Sequence, residues 1–312
     1  MSQNLPAGLF AHMRGWQTVL VSGSDAKDFM QRLTTANFKR LVPGQFTPAT
    51  LLQPTGKIIV YFKSFCLEAG KYLLLVPPQD ESHEPGQLVA DALERMHFRE
   101  DFTIVPLKQE WNYLRVVGQT AKPASIEPGF FEKKKDDEIW INENKWNVAG
   151  FSFDFGVLAS ASSLQSVVEN LKTSGFQEVA SLEPYRIQAT DPASPNEINT
   201  GIMPLEIMLD DAVHENKGCY PGQEVIERIR AIGQPPRLLV GLRGQGVLPQ
   251  SGSKINSSGK EVGLLTSATA DPQNKNAWLG IGLVRRVSLT PESTFTIDDQ
   301  SVTVQTKTKT EA

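Results

Sequence analysis

Beyond Ile232 the chain carries no helical pattern, and this limits the fold more than any other feature of the sequence. Past "GQPPR" runs a series of short apolar stretches, "LLVGLRG", "KEVGLLTSAT", "WLGIGLVRR" and "STFTIDDQSVTVQT", broken by Gly, Ser and Asp turns. Short antiparallel strands leave unpaired edges unless they close on themselves. A small antiparallel β-barrel is therefore expected over residues 236–312, with "GQPPR" as its linker. The terminal "KTKTEA" is expected to fray. At 312 residues the chain exceeds one ordinary core, so two or three packed units are expected.

Ahead of the barrel, helices and strands alternate. Over residues 1–108, Trp16–Val21 alternates as a strand, and Ala26, Phe29, Met30 and Leu33 then recur at helical spacing. Asp25 is the expected N-cap of that helix, with Asp28 as its capping partner. In "FTPATLLQPTGKIIVYFKSFCLEAGKYLLLVPP" two turns separate three β-rich runs, the pattern of an antiparallel meander. Leu88, Val89, Ala92, Leu93 and Met96 mark a second helix before the strand "FTIVPL". This order is that of an α+β layer with helices on one face of an antiparallel sheet. Residues 109–232 have similar parts. "WNYLRVVG" is a strand, "EIWINENKWNVAGFSF" a hairpin around Glu143-Asn144, and Leu164, Val167, Val168 and Leu171 a helix ended by Gly175. "EKKKDDE" reads as a solvated loop, and Cys66, in an alternating strand, as core.

A net charge of -4 with scattered lysines and arginines argues against a broad nucleic-acid footprint. Two cysteines, Cys66 and Cys219, cannot form a disulfide framework and fit a reducing compartment. The opening residues lack the apolar run of a signal peptide, and no later stretch could span a membrane, so a cytoplasmic protein is expected. His12, His83, His97 and His214 show no paired spacing and imply no metal site, with His214 read as a solvent-facing loop residue. No phosphate loop or serine-nucleophile elbow is present.

The least ordinary stretch is "KGCYPGQE", Lys217 to Glu224. Val225, Ile226, Ile229 and Ile232 fall at helical spacing behind it, with Pro221 suited to the first helical position. Cys219 is then expected just ahead of a helix N-terminus with Lys217 nearby, and both effects favour thiolate. Gly218 and Gly222 allow a tight turn or a ligand pressed against the backbone. Gln223 and Glu224 can complement the first-turn amides, and Arg228 shares a face with Glu224. Read from residue types alone, Cys219 is equally a reactive thiol and a small buried hydrophobe.

"KGCYPGQEVIERI" closely resembles the signature of the YgfZ/GcvT-like folate-binding proteins, relatives of the glycine-cleavage T-protein. "VSGSDAKDFMQRLTTANFKRL", "LLQPTGKII", "PYRIQA", "MPLEIMLDD", "VGLLTSA" and "LGIGLVRR" extend the likeness over nearly the whole chain. The resemblance implies two interwoven α+β lobes and a C-terminal barrel around a central channel holding tetrahydrofolate. It also implies a monomer that supports iron–sulfur cluster assembly or repair, with iron–sulfur proteins, assembly factors and tRNA-modifying enzymes as partners. Cys219 and Lys217 are then the functional thiol loop. Gly218, Tyr220, Gly222, Gln223, Glu224, Arg228, Arg186 and Gln188 would contact folate. Relatives often carry glutamate where Gln188 stands, aspartate where Tyr61 stands, and an aromatic residue where Glu215 stands. Glu197, in the loop "DPASPNEINTG", is a candidate to supply the carboxylate missing at 188. Two alternatives stay open, a folate-dependent aminomethyltransferase or other one-carbon transferase, and a folate-free binding module. The first needs an acid/base carboxylate beside the folate.

Overall fold

The computed structural model describes residues 7–79, 84–108, 110–119, 125–135, 137–143, 145–146, 151–291 and 293–305. After a first strand, Gly8–His12 (β1), the chain builds a five-stranded sheet in the order β3-β4-β5-β2-β6. Its strands are Gln17–Ser22 (β2), Phe46–Leu52 (β3), Ile58–Glu68 (β4), Lys71–Val76 (β5) and Thr103–Leu107 (β6). Every pair is antiparallel, and β3-β4-β5 is the expected meander. Helices Ala26–Leu33 (α1) and Pro85–Glu94 (α2) cover one face, packing Phe29, Met30, Val89 and Leu93 onto Val19, Val21, Phe62 and Leu74. Cys66 is 1% exposed in this core, where burial raises its thiol pKa. Asp25 makes no side-chain cap of α1. Its Oδ2 instead accepts from the Asp101 amide at 2.8 Å, tying the start of the helix to the approach of β6. Met96 lies beyond α2 and is 45% exposed.

The second sheet comprises Trp111–Gly118 (β7), Phe131–Lys135 (β8), Glu138–Asn142 (β9), Phe153–Ser160 (β10) and Phe176–Glu178 (β11), in the order β11-β1-β7-β10-β9-β8. The first strand thus belongs to the second sheet, antiparallel to β7 and parallel to β11. Helix Leu164–Thr173 (α3) covers its outer face, with Phe10, Val116, Phe155, Val167 and Leu171 in one core. The hairpin differs from expectation. β9 pairs with β10 from Asn142 opposite Phe155, so Glu143 is no turn residue, and Asn144 lies outside the described residues. Glu143 is instead drawn inward by the Lys63 ammonium. "EKKKDDE" is not a loop at its start, because Phe131–Lys135 forms the edge strand β8, whose exposed lysines discourage further pairing. The inner faces of the two sheets meet through Phe65, Leu73 and Leu75 on one side and Tyr113, Ile139, Ile141 and Leu158 on the other.

The chain then passes through Glu183–Gln188 (α4), two short 3-10 turns and Gln223–Ile232 (α5). Arg237–Gln245 (β12), Lys254–Ser257 (β13), Lys260–Ala270 (β14), Ala277–Arg285 (β15), Phe295–Ile297 (β16) and Gln300–Gln305 (β17) close into a barrel around Trp278, Ile255 and Val284. "KTKTEA" lies outside the described residues. The barrel packs against the lobes through Leu239, Leu279 and Ile281 on Ile187, Ile198 and Leu205, and Arg237 adds two hydrogen bonds to the buried Glu206 carboxylate at 2.7 and 2.8 Å.

Candidate functional site

The Lys217–Glu224 loop is fixed from beneath. Lys217 is 6% exposed, and its Nζ donates to the carbonyls of Gln31 and Thr34 at the C-terminal end of α1. A cation there meets the negative end of the helix dipole. Gln31 Nε2 returns a hydrogen bond to the Lys217 carbonyl. Burial pushes the Lys217 ammonium down to about 8, with Cys219 nearby opposing the shift. Tyr220 is 7% exposed, packs with Leu52, Ile58 and Ile226, and has its hydroxyl pushed up to about 12, chiefly by burial. Between these two buried anchors, Gly218 and Cys219 are exposed. Cys219 is therefore no core filler.

Helix α5 begins at Gln223, so Pro221 precedes the helix rather than opening it, and Gly222 stands at the N-cap with φ +80°. A Cβ at Gly222 would sit 2.5 Å from the Gln53 carbonyl, so the loop lies flat on the β3–β4 turn. Glu224 and Arg228 form an exposed i,i+4 pair at 3.2 Å. Such pairs contribute about 0.3–0.5 kcal/mol. His214 is half-buried, with both ring nitrogens engaged, rather than a free loop residue. Its Nδ1 accepts from the Asn37 amide at 3.1 Å and its Nε2 lies 3.2 Å from Thr47 Oγ1.

A second constellation lies between the sheets. A cavity of about 60 Å³ is lined by the aromatic rings of Trp16, Tyr61 and Trp146 and by the cations Lys63, Arg115, Lys145 and Arg186, with Asp191 and Pro192 of "DPASPNEINTG" on its wall. Each cation has an acidic partner. Lys63 Nζ is 2.5 Å from Glu143, Arg115 pairs with Asp154 through two hydrogen bonds at 2.9 and 3.0 Å, and Lys145 is 3.0 Å from Asp211. Burial depresses the Lys63 ammonium and would raise Glu143, but Lys63 and Arg115 outweigh this and hold the Glu143 carboxyl at about 2. Trp146 lies over the Arg115 guanidinium at 4.3 Å and donates its Nε1 proton to Asp191 at 2.8 Å. Burial raises the Tyr61 hydroxyl pKa.

Of the candidate folate contacts and the thiol loop, Arg186 alone lines this cavity. It donates to Glu183 Oε2, the Asp191 carbonyl, Glu197 Oε2 and Ser267 Oγ at 2.6–3.0 Å, so it also fixes the 191–201 loop and reaches the barrel. Both Glu197 oxygens are occupied, Oε2 by Arg186 and the Ala193 amide and Oε1 by Ser267, and Glu197 does not line the cavity. Gln188, half-buried at the end of α4, is likewise outside it. The structure gathers Lys217, Gly218, Cys219, Tyr220, Gly222, Gln223, Glu224 and Arg228 into one surface loop and helix start, and none of them lines the cavity. Cys219 opens to solvent and does not line the cavity. Among the described residues, no three His, Cys, Asp or Glu side chains converge as a metal site, and no helix is long and apolar enough to cross a membrane.

Sequence reasoning missed Lys63, Tyr113, Arg115, Glu143, Trp146 and Asp154 as site residues. The signal was present for three of them. Lys63, Arg115 and Asp154 are lone charges inside the apolar strands "IIVYFKSFCL", "YLRVV" and "FDFGV". A charge there demands a buried partner.

Residues 237–310 match the family model described as CAF17, C-terminal beta-barrel domain. A chloroplastic protein of Arabidopsis thaliana named as a putative transferase is 26% identical over 90% of this chain, which spans 66% of that protein's length. An aminomethyltransferase of Geobacillus sp. is 25% identical, over 97% of this chain and 84% of its own. The crystal structure of glycine cleavage system aminomethyltransferase T from Bartonella henselae superposes with a TM-score of 0.81 at 16% identity, covering 96% of this chain and 86% of that one. The chain therefore has the aminomethyltransferase fold, an α+β arrangement ending in a CAF17-type barrel.

Proposed function

We propose that this protein binds a reduced folate in the central cavity and presents Cys219 at its surface to iron–sulfur proteins, supporting assembly or repair of their clusters. Enzymes that modify tRNA are among the intended clients. The observation that supports this reading best is the exposure of Cys219 between two buried anchors, Lys217 and Tyr220. A loop held that firmly presents its thiol in one place. One thiol cannot hold a cluster, which usually needs four protein ligands, so the partner supplies the rest.

The cavity suits a flat, polar heterocycle because aromatic faces line it beside donors and acceptors. Its present volume of about 60 Å³ admits only a few waters, so folate binding requires the cavity to open. One-carbon transfer is the second reading, favoured by the names of the relatives. Among the described residues, Asp191 is the one carboxylate on the cavity wall, and it accepts from Trp146, whereas such a transfer needs a carboxylate placed for proton transfer.

The test is complementation of a deletion strain. Cys219→Ser is expected to fold like wild type and to fail in restoring iron–sulfur enzyme activity. Full restoration by Cys219→Ser sinks the thiol role, and methylene-tetrahydrofolate formation from an aminomethyl donor by the purified protein would favour the transferase.

A further inference from the structure

The thiol loop rests on a bed formed by the end of α1 and the turn after it. The His214 amide donates to the Thr35 carbonyl at 3.0 Å, the Thr35 hydroxyl to the Ala212 carbonyl at 2.5 Å, and the Asn37 amide to the His214 ring at 3.1 Å. The last tie before the thiol is Gln31, on the buried face of α1 and 5% exposed. Its Nε2 donates to the Lys217 carbonyl, and its Oε1 accepts from the Lys39 amide at 3.0 Å. Its own carbonyl accepts from the Lys217 ammonium, so residue 31 grips Lys217 by backbone and by charge.

These partners dictate the residue type. A backbone N–H can only donate and a carbonyl can only accept, so the group between Lys39 and Lys217 must accept on one atom and donate from another. A primary amide does both. A carboxylate offers only acceptors, and an apolar side chain would leave two backbone groups without their partner. Gly218, the next residue, cannot hold the loop itself. It has φ +97°, and a Cβ there would meet nothing within 4 Å. The approach to Cys219 is therefore held from the Lys217 side by Gln31. We propose that Gln31 is the positioning residue of Cys219, its amide pinning the peptide ahead of Gly218 and so fixing where the sulfur is offered to a partner. This rests on the reading of Cys219 as the functional thiol.

The test sets full-length Gln31→Glu and Gln31→Met beside wild type and Cys219→Ser. Gln31→Glu keeps the size and the bond from Lys39 but removes the donor to Lys217, and Gln31→Met removes both. The backbone order parameter of the Cys219 amide, from nitrogen-15 relaxation, is expected to be about 0.85 in wild type and below about 0.6 in either variant, with β4 unchanged. Losing a group that orients a metal ligand typically costs about 10–100-fold. Iron–sulfur enzyme activity restored to a deletion strain is accordingly expected to fall at least about tenfold in both variants, at equal amounts of folded protein. An order parameter unchanged in a folded variant overturns the proposal. So does activity within about twofold of wild type while Cys219→Ser is inactive, and that result leaves the thiol reading standing. Full activity of Cys219→Ser removes the thiol reading and this proposal with it. Should neither Gln31 variant fold, the wild-type order parameter decides alone, since a value below about 0.6 means that the loop is not pinned.

Discussion

His214 shows how one side chain couples the cysteine approach to the first lobe. Its backbone amide donates to the Thr35 carbonyl at 3.0 Å, while its ring accepts from the Asn37 amide. An Nδ1 that accepts must be unprotonated, so the proton sits on Nε2, facing Thr47. Burial lowers the His214 pKa, in agreement with that geometry. As pH falls below the unfolded value of about 6.5, the unfolded chain takes up a proton that the folded chain resists, so stability is lost towards acid. His214→Gln is expected to shrink the drop in Tm between neutral pH and mildly acidic buffer, and an unchanged drop contradicts the assignment. Lys217 is comparable in kind. Its type and spacing were plain in the sequence, but the carbonyls it serves belong to α1 and its C-cap, almost two hundred residues earlier. Distance along the chain hid the partner.

At the scale of elements, local periodicity was a good guide and pairing was not. Helices α1, α2, α3 and α5 and the meander appear where apolar spacing places them, because amphipathic spacing is a property of each segment alone. The turn between β9 and β10 was misplaced because Glu143 looks like a turn residue until Lys63 and Tyr113 are brought beside it. The cavity escaped notice for the same reason: its charges meet across two sheets. The loop ahead of α5 was legible through its motif, and its glycine carries a direct prediction. Gly222 has φ +80° and lies close against the Gln53 carbonyl, so Gly222→Ala is strained in both backbone and space. It is expected to cost about 2–4 kcal/mol, read by denaturant unfolding. A loss below a few tenths would show that the loop does not lie on the β3–β4 turn.

For the whole molecule, the Arg237–Glu206 ion pair joins the barrel to the lobes beside an apolar seam. Arg237→Ala leaves the buried Glu206 carboxylate without its cation, at a cost of about 1–3 kcal/mol given that Arg237 is partly exposed. Limited proteolysis is expected to cut the variant sooner in "GQPPR" and release the barrel, whereas an unchanged cleavage rate would mean other contacts hold it. The placement of β1 bears on birth rather than maintenance. This strand leaves the ribosome early, yet its neighbours β7 and β11 arrive only with residues 111–118 and 176–178. At roughly 5–20 residues per second, Leu9 and Phe10 wait on the order of 10–30 s for both flanks. A nascent chain with an unpaired apolar strand for that long is open to aggregation through that edge.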